Sequence, residues 1–480
     1  MATTIAELLQ LPLTLTLVLA CLLPLPLCCY LFLKKQKPVG LPNGSMGWPF
    51  LGETFGFLKP HKSNSIGSFL QQHFSRHGKV FKSHLFGCPT IVSGDLELNN
   101  FILLNEDRLF QSYYPRSVQD ILGNLSLMLV SGELHKKLRT VALSFIANSK
   151  SSPDFLRYVE NLTISVMDSW KGCREIHYAK EAKKFTLFVM LKNLLNIEPE
   201  EPLASQMLED YLSYMKGLVS LPLCFPGTPY AKALKAKARI SRNIREIIAE
   251  RRKKEGPKKG DFLDEMMNKR SEELNDEERV SIVMDLMFAG YETTAGLLSL
   301  LLYYLAQAPE ALEQLMQEHQ TLTKSKKPGD PISWRDIQQL NFNSHVVNET
   351  LRCGNLVKFV HRRALQDVKF RDYHIPRGWQ VLPVFTAVHL DPSLHESPSD
   401  FNPWRWNDEA INRKVNPFGG GTRLCPGTEL AKLEATIFLH HLILNYRWKL
   451  KEDDDFPLSY PYLEFSKGLE LEIQPTENSS

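Results

Sequence analysis

Residues 417–427 read PFGGGTRLCPG, the composition of a binding loop and not of a core element. Gly419, Gly420 and Gly421 remove side chains just before a cysteine, allowing unusual backbone angles and close approach to a flat ligand. Arg423 supplies a fixed cation with several donors, suited to a carboxylate. Pro426 fits the first turn of a helix, and residues 428–444 are apolar and helix-compatible. Cys425 is therefore expected at a loop-to-helix junction, where the positive helix end lowers a thiol pKa and favours the thiolate. The plain alternative is a buried cysteine beside a glycine turn.

Upstream, residues 276–305 carry a long helical pattern interrupted by AGYETT, residues 289–294. Gly290 inside a helix costs about 1 kcal/mol relative to alanine, and Thr293 or Thr294 can bond back to a carbonyl one turn earlier. A gap, an acid and a hydroxyl together suggest room for a small polar guest. Glu349 and Arg352 stand three apart in ETLR, and FNPWRW at 401–406 offers Arg405.

Composition sets the outer limits. The chain has 480 residues, 43% hydrophobic and 23% charged, with a net charge of +3, so neither disorder nor nucleic acid as main partner is expected. Its eight cysteines form no C-x-x-C pair, and Cys21, Cys28 and Cys29 lie in an apolar run, which argues against a disulfide framework or structural zinc. Leu11 to Leu33 holds 23 residues without a charged side chain, enough for a helix across a bilayer core of about 30 Å. Lys34, Lys35 and Lys37 follow it, so the body is expected on the cytoplasmic side. A cleaved signal peptide is the competing reading, but its basic residues would precede the apolar run. The expected organisation is an anchor and basic stop at 1–36, a Pro/Gly hinge at 37–52, and one body at 53–480. Helical spacing covers 205–215, 231–252 and 276–305. Strand-like runs fall at 80–85, 90–92, 368–370, 380–384 and 468–473. The basic stretch 232–259 reads as a solvated helix face.

The pattern F-x-x-G-x-R-x-C-x-G, at Phe418, Gly421, Arg423, Cys425 and Gly427, resembles the haem-binding segment of the cytochrome P-450 superfamily. Five fixed positions recur by chance in such a chain on the order of once in 10,000. The resemblance runs from Leu41 to about Gly468 and implies a mainly α fold with a minor β region, preceded by a single transmembrane helix. It implies haem b with Cys425 as axial ligand of the iron, Phe418 near the sulfur, and Arg423 on a propionate. AGYETT matches the family's distal helix, with Thr293 the hydroxyl that hydrogen-bonds dioxygen and Glu292 the acid that relays protons. Glu349, Arg352 and Arg405 match a structural network behind the haem. In ELHKKLR, His135 stands where the family has tryptophan and Arg139 where it has a propionate partner. In FVHRRAL, Arg362 is the second such partner, with His361 or Arg363 possible in another register.

GWPFLGET, ELHKKLR, GNLVKFVHRRALQDVKF and FNPWRW resemble the steroid 22-alpha-hydroxylases of the brassinosteroid pathway. The implied enzyme hydroxylates a plant sterol side chain at C-22, with dioxygen and electrons from NADPH through a cytochrome reductase, at the endoplasmic reticulum membrane. Membrane lipid is then a partner, and nucleic acid is not. Met284, Phe288 and Ala289, with Leu356, Val357 and Phe359, are candidate pocket residues. The alternatives are an oxidase of another terpenoid (a triterpenoid, gibberellin or abscisic acid) and a non-catalytic haem-binding membrane protein.

Overall fold

The structure is a computed structural model describing residues 40–48, 52–253, 260–268, 274–327, 329–452, 455–460 and 462–476. The expected membrane anchor at 1–36 lies outside the described residues. The site is built by α1 (Leu96–Leu104), α2 (Gly132–Ser151), α3 (Pro153–Asp168), α4 (Tyr178–Leu195), α5 (Pro202–Leu218) and α6 (Pro229–Lys253). It continues through α7 (Asp276–Ala306), α8 (Pro309–Ser325), α9 (Asn341–Gly354) and α10 (Thr428–Asn445). The expected helices at 205–215, 231–252 and 428–444 fall inside α5, α6 and α10, the first two extended by a few residues and the last by one.

The central element is α7. Asn275 caps it by accepting from Glu278 N while Glu278 accepts from Asn275 N, and Asp276, Glu277 and Glu278 place negative charge on the positive helix end. Most of its length is buried against α4, α6, α9 and α10, which is why its composition is apolar on nearly every side. By length and composition it is the one described helix that could cross a membrane. Its burial inside the body accounts for that composition instead. The AGYETT segment does not interrupt it: the helix is continuous from Asp276 to Ala306.

One five-stranded sheet lies to the side of the helices. It comprises β1 (Val80–Leu85), β2 (Cys88–Ser93), β3 (Phe110–Ser112), β4 (Arg362–Ala364) and β5 (Gln380–Pro383), in the order β1-β2-β5-β4-β3. Register is fixed by pairs such as Phe81 with Val92, Val92 with Leu382, Arg362 with Val381 and Ser112 with Arg362. The short strand Glu175–His177, not legible in the sequence, joins Glu470–Glu472 of the late strand Glu470–Pro475. The described part of the expected hinge belongs to the body: Lys82 N donates to Asn43 O at 3.0 Å, and His374 N to Gly40 O at 2.8 Å.

The basic face of α6 is not simply solvated. Arg239 Nε meets Asp210 of α5 at 2.8 Å, Arg245 meets Glu277 at 2.8 Å, and Arg252 meets Asp276 at 2.6 Å. These charges are used to fasten α6 to α5 and to the first turn of α7.

Candidate active site

Residues 417–427 form a loop that ends where α10 begins. Cys425 N donates to Phe418 O at 3.0 Å, closing the loop on itself. Gly421 has φ of +64°, and a Cβ there would lie 2.0 Å from Leu103 O, so the last turn of α1 dictates glycine. That close approach is to backbone, a different reason from the flat ligand the glycine run suggests. Pro426 precedes the helix, whose first residue is Thr428. Phe418 packs against the main apolar core, with Lys432 Nζ 5.8 Å from its ring centre.

The Cys425 thiol does not follow the expectation of a lowered pKa. Burial pushes it up; the Gly427 N–H, the Thr428 hydroxyl and the Arg139 charge oppose this without overcoming it. Protein surroundings alone therefore favour the thiol, whereas a bound metal ion deprotonates a coordinating thiol outright.

Beside the loop stands a buried cluster of cations. Glu106 Oε1 accepts from Arg423 Nε at 2.6 Å and from Ser112 N at 2.9 Å, and its Oε2 forms an ion pair with Arg362 Nε at 2.5 Å. Arg423 goes on to Leu127 O at 3.2 Å, Met128 O at 3.4 Å and Val130 O at 2.6 Å. Its guanidinium thus joins the cysteine loop to the segment 127–130, which engages most of the donors the sequence offered to a propionate. Arg139 of α2 donates to Leu424 O at 2.6 Å. His135, one turn earlier, is buried and its pKa is lowered to about 4 by that burial, with Arg423 and Arg139 adding to it. It is a neutral donor or acceptor near pH 7, not a cation. Of the alternative registers, Arg362 joins the cluster, while Arg363 lies 3.2 Å over the Tyr113 ring and His361 is a buried imidazole with its pKa lowered to about 3 by burial and Arg362. Two guanidinium groups, Arg423 and Arg362, thus share one buried carboxylate, and Arg139 adds a third cation at the loop. Unpaired buried charge is costly, so the donor set fits an anionic group with carboxylates of its own, as haem has.

On α7, Ala289 and Thr293 are exposed although the helix around them is buried. They mark one open face, and Thr293 Oγ1 donates to Ala289 O at 2.6 Å along it. Gly290 is not a gap for a guest: a Cβ there would lie 2.6 Å from Met190 Sδ, so α4 fills that space. Glu292 turns toward α4, where Lys183 Nζ is 2.8 Å from its Oε1, while its Oε2 is buried without a hydrogen-bond partner. Leu356 and Leu463 lie against Gly296, one turn beyond Thr293.

The pocket candidates separate. Ala289 and Leu356 border the open face, and Val357 is exposed beside Leu356. Met284 does not: its Sδ takes the Ser241 hydroxyl of α6 at 3.1 Å, because the residue lies on the helix–helix seam. Phe288 stacks edgewise on Tyr214 of α5 at 6.3 Å. Phe359 packs at 5.0 Å on Phe57, within the apolar cluster under the sheet and not on the α7 face.

Glu349, Arg352 and Arg405 come together with no solvent between them. Arg352 meets Glu349 at 2.9 and 2.7 Å, and Arg405 Nε meets Glu349 at 2.8 Å. Trp406 Nε1 and Asn402 N complete the carboxylate at 2.9 and 3.0 Å. Arg352 also holds the carbonyls of His389, Pro398 and Asp400. Sequence reasoning missed Glu106, Asn402, Trp406 and Lys183, since each acts across a long chain separation with no local spacing to mark it.

The family model described as Cytochrome P450 matches residues 42–470. The chain belongs to the cytochrome P450 family. Haem iron, dioxygen and electrons supplied by a redox-partner reductase come with that membership. This P450 is 50% identical to "Cytochrome P450 724B1" of Oryza sativa subsp. japonica, over 96% of its own length and 97% of that protein's. It is 45% identical to "Cholesterol 22-monohydroxylase CYP90B52" of Paris polyphylla, covering 92% of this chain and 94% of the relative. It is 41% identical to "Steroid (22S)-hydroxylase" of Oryza sativa subsp. japonica, covering 92% and 89%. Among solved structures, "Retinoic acid bound cyanobacterial CYP120A1" matches with a TM-score of 0.82 at 25% identity, over 92% of this chain and all of that one.

Proposed function

We propose that this P450 hydroxylates the side chain of a plant sterol at C-22, in brassinosteroid biosynthesis. The observation that carries the reading is similarity over nearly the whole chain to relatives named as cholesterol or steroid 22-hydroxylases. Haem b, when bound, supplies the activation of dioxygen. Cys425 would hold its iron, with Phe418 in the same loop. Arg139 and Arg362 would hold its carboxylates, His135 would add a neutral hydrogen bond, and Arg423, fixed by Glu106, anchors the loop and would add charge.

Thr293 presents a hydroxyl on the open face of α7, where it can hold a proton near the reacting atoms. Glu292 has one oxygen paired with Lys183 and one without a partner, so it can receive a proton from the α4 side and turn it toward Thr293. Leu356, Ala289 and Val357 offer the apolar surface that a sterol requires. Electrons come from NADPH through a membrane-bound cytochrome reductase. The sequence at 11–33 anchors the chain in the endoplasmic reticulum membrane with the body in the cytosol. Support on the body itself comes from the loop between α5 and α6, where Leu221, Leu223 and Phe225 are 63, 49 and 66% exposed, an apolar patch suited to lipid.

The test is the balance of reducing equivalents in Thr293→Ala. With sterol and reductase present, the variant is expected to consume NADPH near the wild-type rate while most of it appears as hydrogen peroxide, and product per NADPH falls about tenfold or more, less than the roughly 10²–10⁴-fold of a fully lost proton donor because water partly replaces the hydroxyl. Product per NADPH unchanged from wild type would remove Thr293 from proton delivery.

A further inference from the structure

Asp285 lies two turns before Thr293 and one before Ala289, so all three fall on the same side of α7. Its carboxylate is buried and fully engaged with the segment between helix 116–122 and α2. Ser126 Oγ donates to one oxygen at 2.8 Å and Leu127 N to the other at 2.6 Å. The next carbonyls of that segment, those of Leu127, Met128 and Val130, accept from Arg423 beside Cys425. Residues 126–130 therefore bridge the cysteine loop and the turn of α7 just before its open face, held at one end by a carboxylate and at the other by a guanidinium.

The two ends differ in kind. At one end the Arg423 guanidinium is paired with Glu106 at 2.6 Å. Asp285 faces two other titratable groups, Lys237 of α6 and the phenol of Tyr211 of α5. Lys237 is occupied with Asp120 O at 2.8 Å, and its own pKa is lowered by burial against the pull of Asp120 and Asp285. Burial pushes the Asp285 carboxyl up to about 7, although the Leu127 N–H, the Ser126 hydroxyl and Lys237 draw it down.

We propose that Asp285 is a positioning residue for substrate entry, latching the segment 126–130 over the open face of α7 and releasing it to admit the sterol. This rests on the reading of that face as the sterol pocket. The sign of its pH dependence follows from linkage. In the opened segment the carboxyl is solvated and titrates near its ordinary value, about 4, so the closed form binds the extra proton. Raising pH from about 4 to about 7 therefore weakens the latch, and above that the effect levels off.

Hydrogen exchange of the amides in 124–130, measured on the haem-loaded full chain, reads the latch without reference to any substrate. In wild type their protection is expected to fall by up to tenfold per pH unit between about 4 and 7, after correction for intrinsic exchange, and then flatten. In Asp285→Asn the amide oxygen can accept from Leu127 N and the amide nitrogen can donate to Ser126 Oγ, with no charge to gain, so protection stays high and loses its pH dependence. Asp285→Ala and Ser126→Ala lower protection in this segment alone. Stopped-flow cholesterol binding should be slower in Asp285→Asn and faster in Ser126→Ala, with the thiolate spectrum unchanged in both. Wild-type protection flat with pH, or Asp285→Ala protection equal to wild type, overturns the latch. Exchange behaving as stated while cholesterol fails to bind would keep the latch and count against the sterol reading instead.

Discussion

Replacing Cys425 with alanine is expected to leave a folded chain that gives no thiolate-type spectrum on reduction under carbon monoxide, and sterol hydroxylation at background. The fold should survive, because Cys425 holds its loop through the backbone N–H to Phe418 O, and Gly421 packs on Leu103 whatever the side chain at 425. The chemistry should not survive, because no other cysteine among the described residues stands in that loop. Among the described cysteines, Cys353 is buried in the Glu349 network and Cys88 lies by Arg363 in the sheet. Cys173 and Cys224 are exposed. A normal thiolate spectrum from Cys425→Ala would sink the assignment of the iron ligand.

The second large effect is on stability. Glu349→Gln keeps the side-chain shape but leaves Arg352, with its side chain 0% exposed, without its counter-charge. Breaking such a buried pair from one side costs about 3–5 kcal/mol, a large part of the roughly 5–15 kcal/mol that holds an ordinary domain together. The variant is expected to be recovered in low yield with a clearly lowered denaturant midpoint. Burial works to raise the Glu349 pKa, but the hydrogen bonds and charges of Arg352 and Arg405 outweigh it and the net shift is downward. Its contribution is therefore present above the ordinary carboxylate range and is lost as pH falls below about 4.5 through the depressed value. That acid sensitivity should be missing from the midpoint of Glu349→Gln. Lys136 with Glu133 is an instructive contrast, an exposed pair at 2.6 Å whose removal should leave the midpoint unchanged.

Much of this was legible in the sequence because it was local. The α7 pattern, the ETLR pair and the cysteine loop each announce themselves within a few turns, and the helices and the strand at 80–85 fall where periodicity puts them. The misreadings come from forces that act across the chain. Gly290 looks like a space until Met190 of α4 is found filling it. Met284 looks like a pocket residue until Ser241 of α6 turns up against its sulfur. Arg423 looks free for a propionate until Glu106, more than 300 residues away, is seen to hold it. Asp285 carries no sequence signal at all, since an acid in a helix reads as a surface residue until Ser126 and Leu127 close over it.

The most direct test of the central claim is product analysis. Membranes carrying the full chain, a plant cytochrome reductase and NADPH are incubated with campesterol, cholesterol and campestanol, and the extracts are analysed by mass spectrometry. A 22-hydroxylated sterol is expected, absent with Cys425→Ala. No sterol product from protein with an intact thiolate spectrum would contradict it, leaving the P450 and removing the sterol.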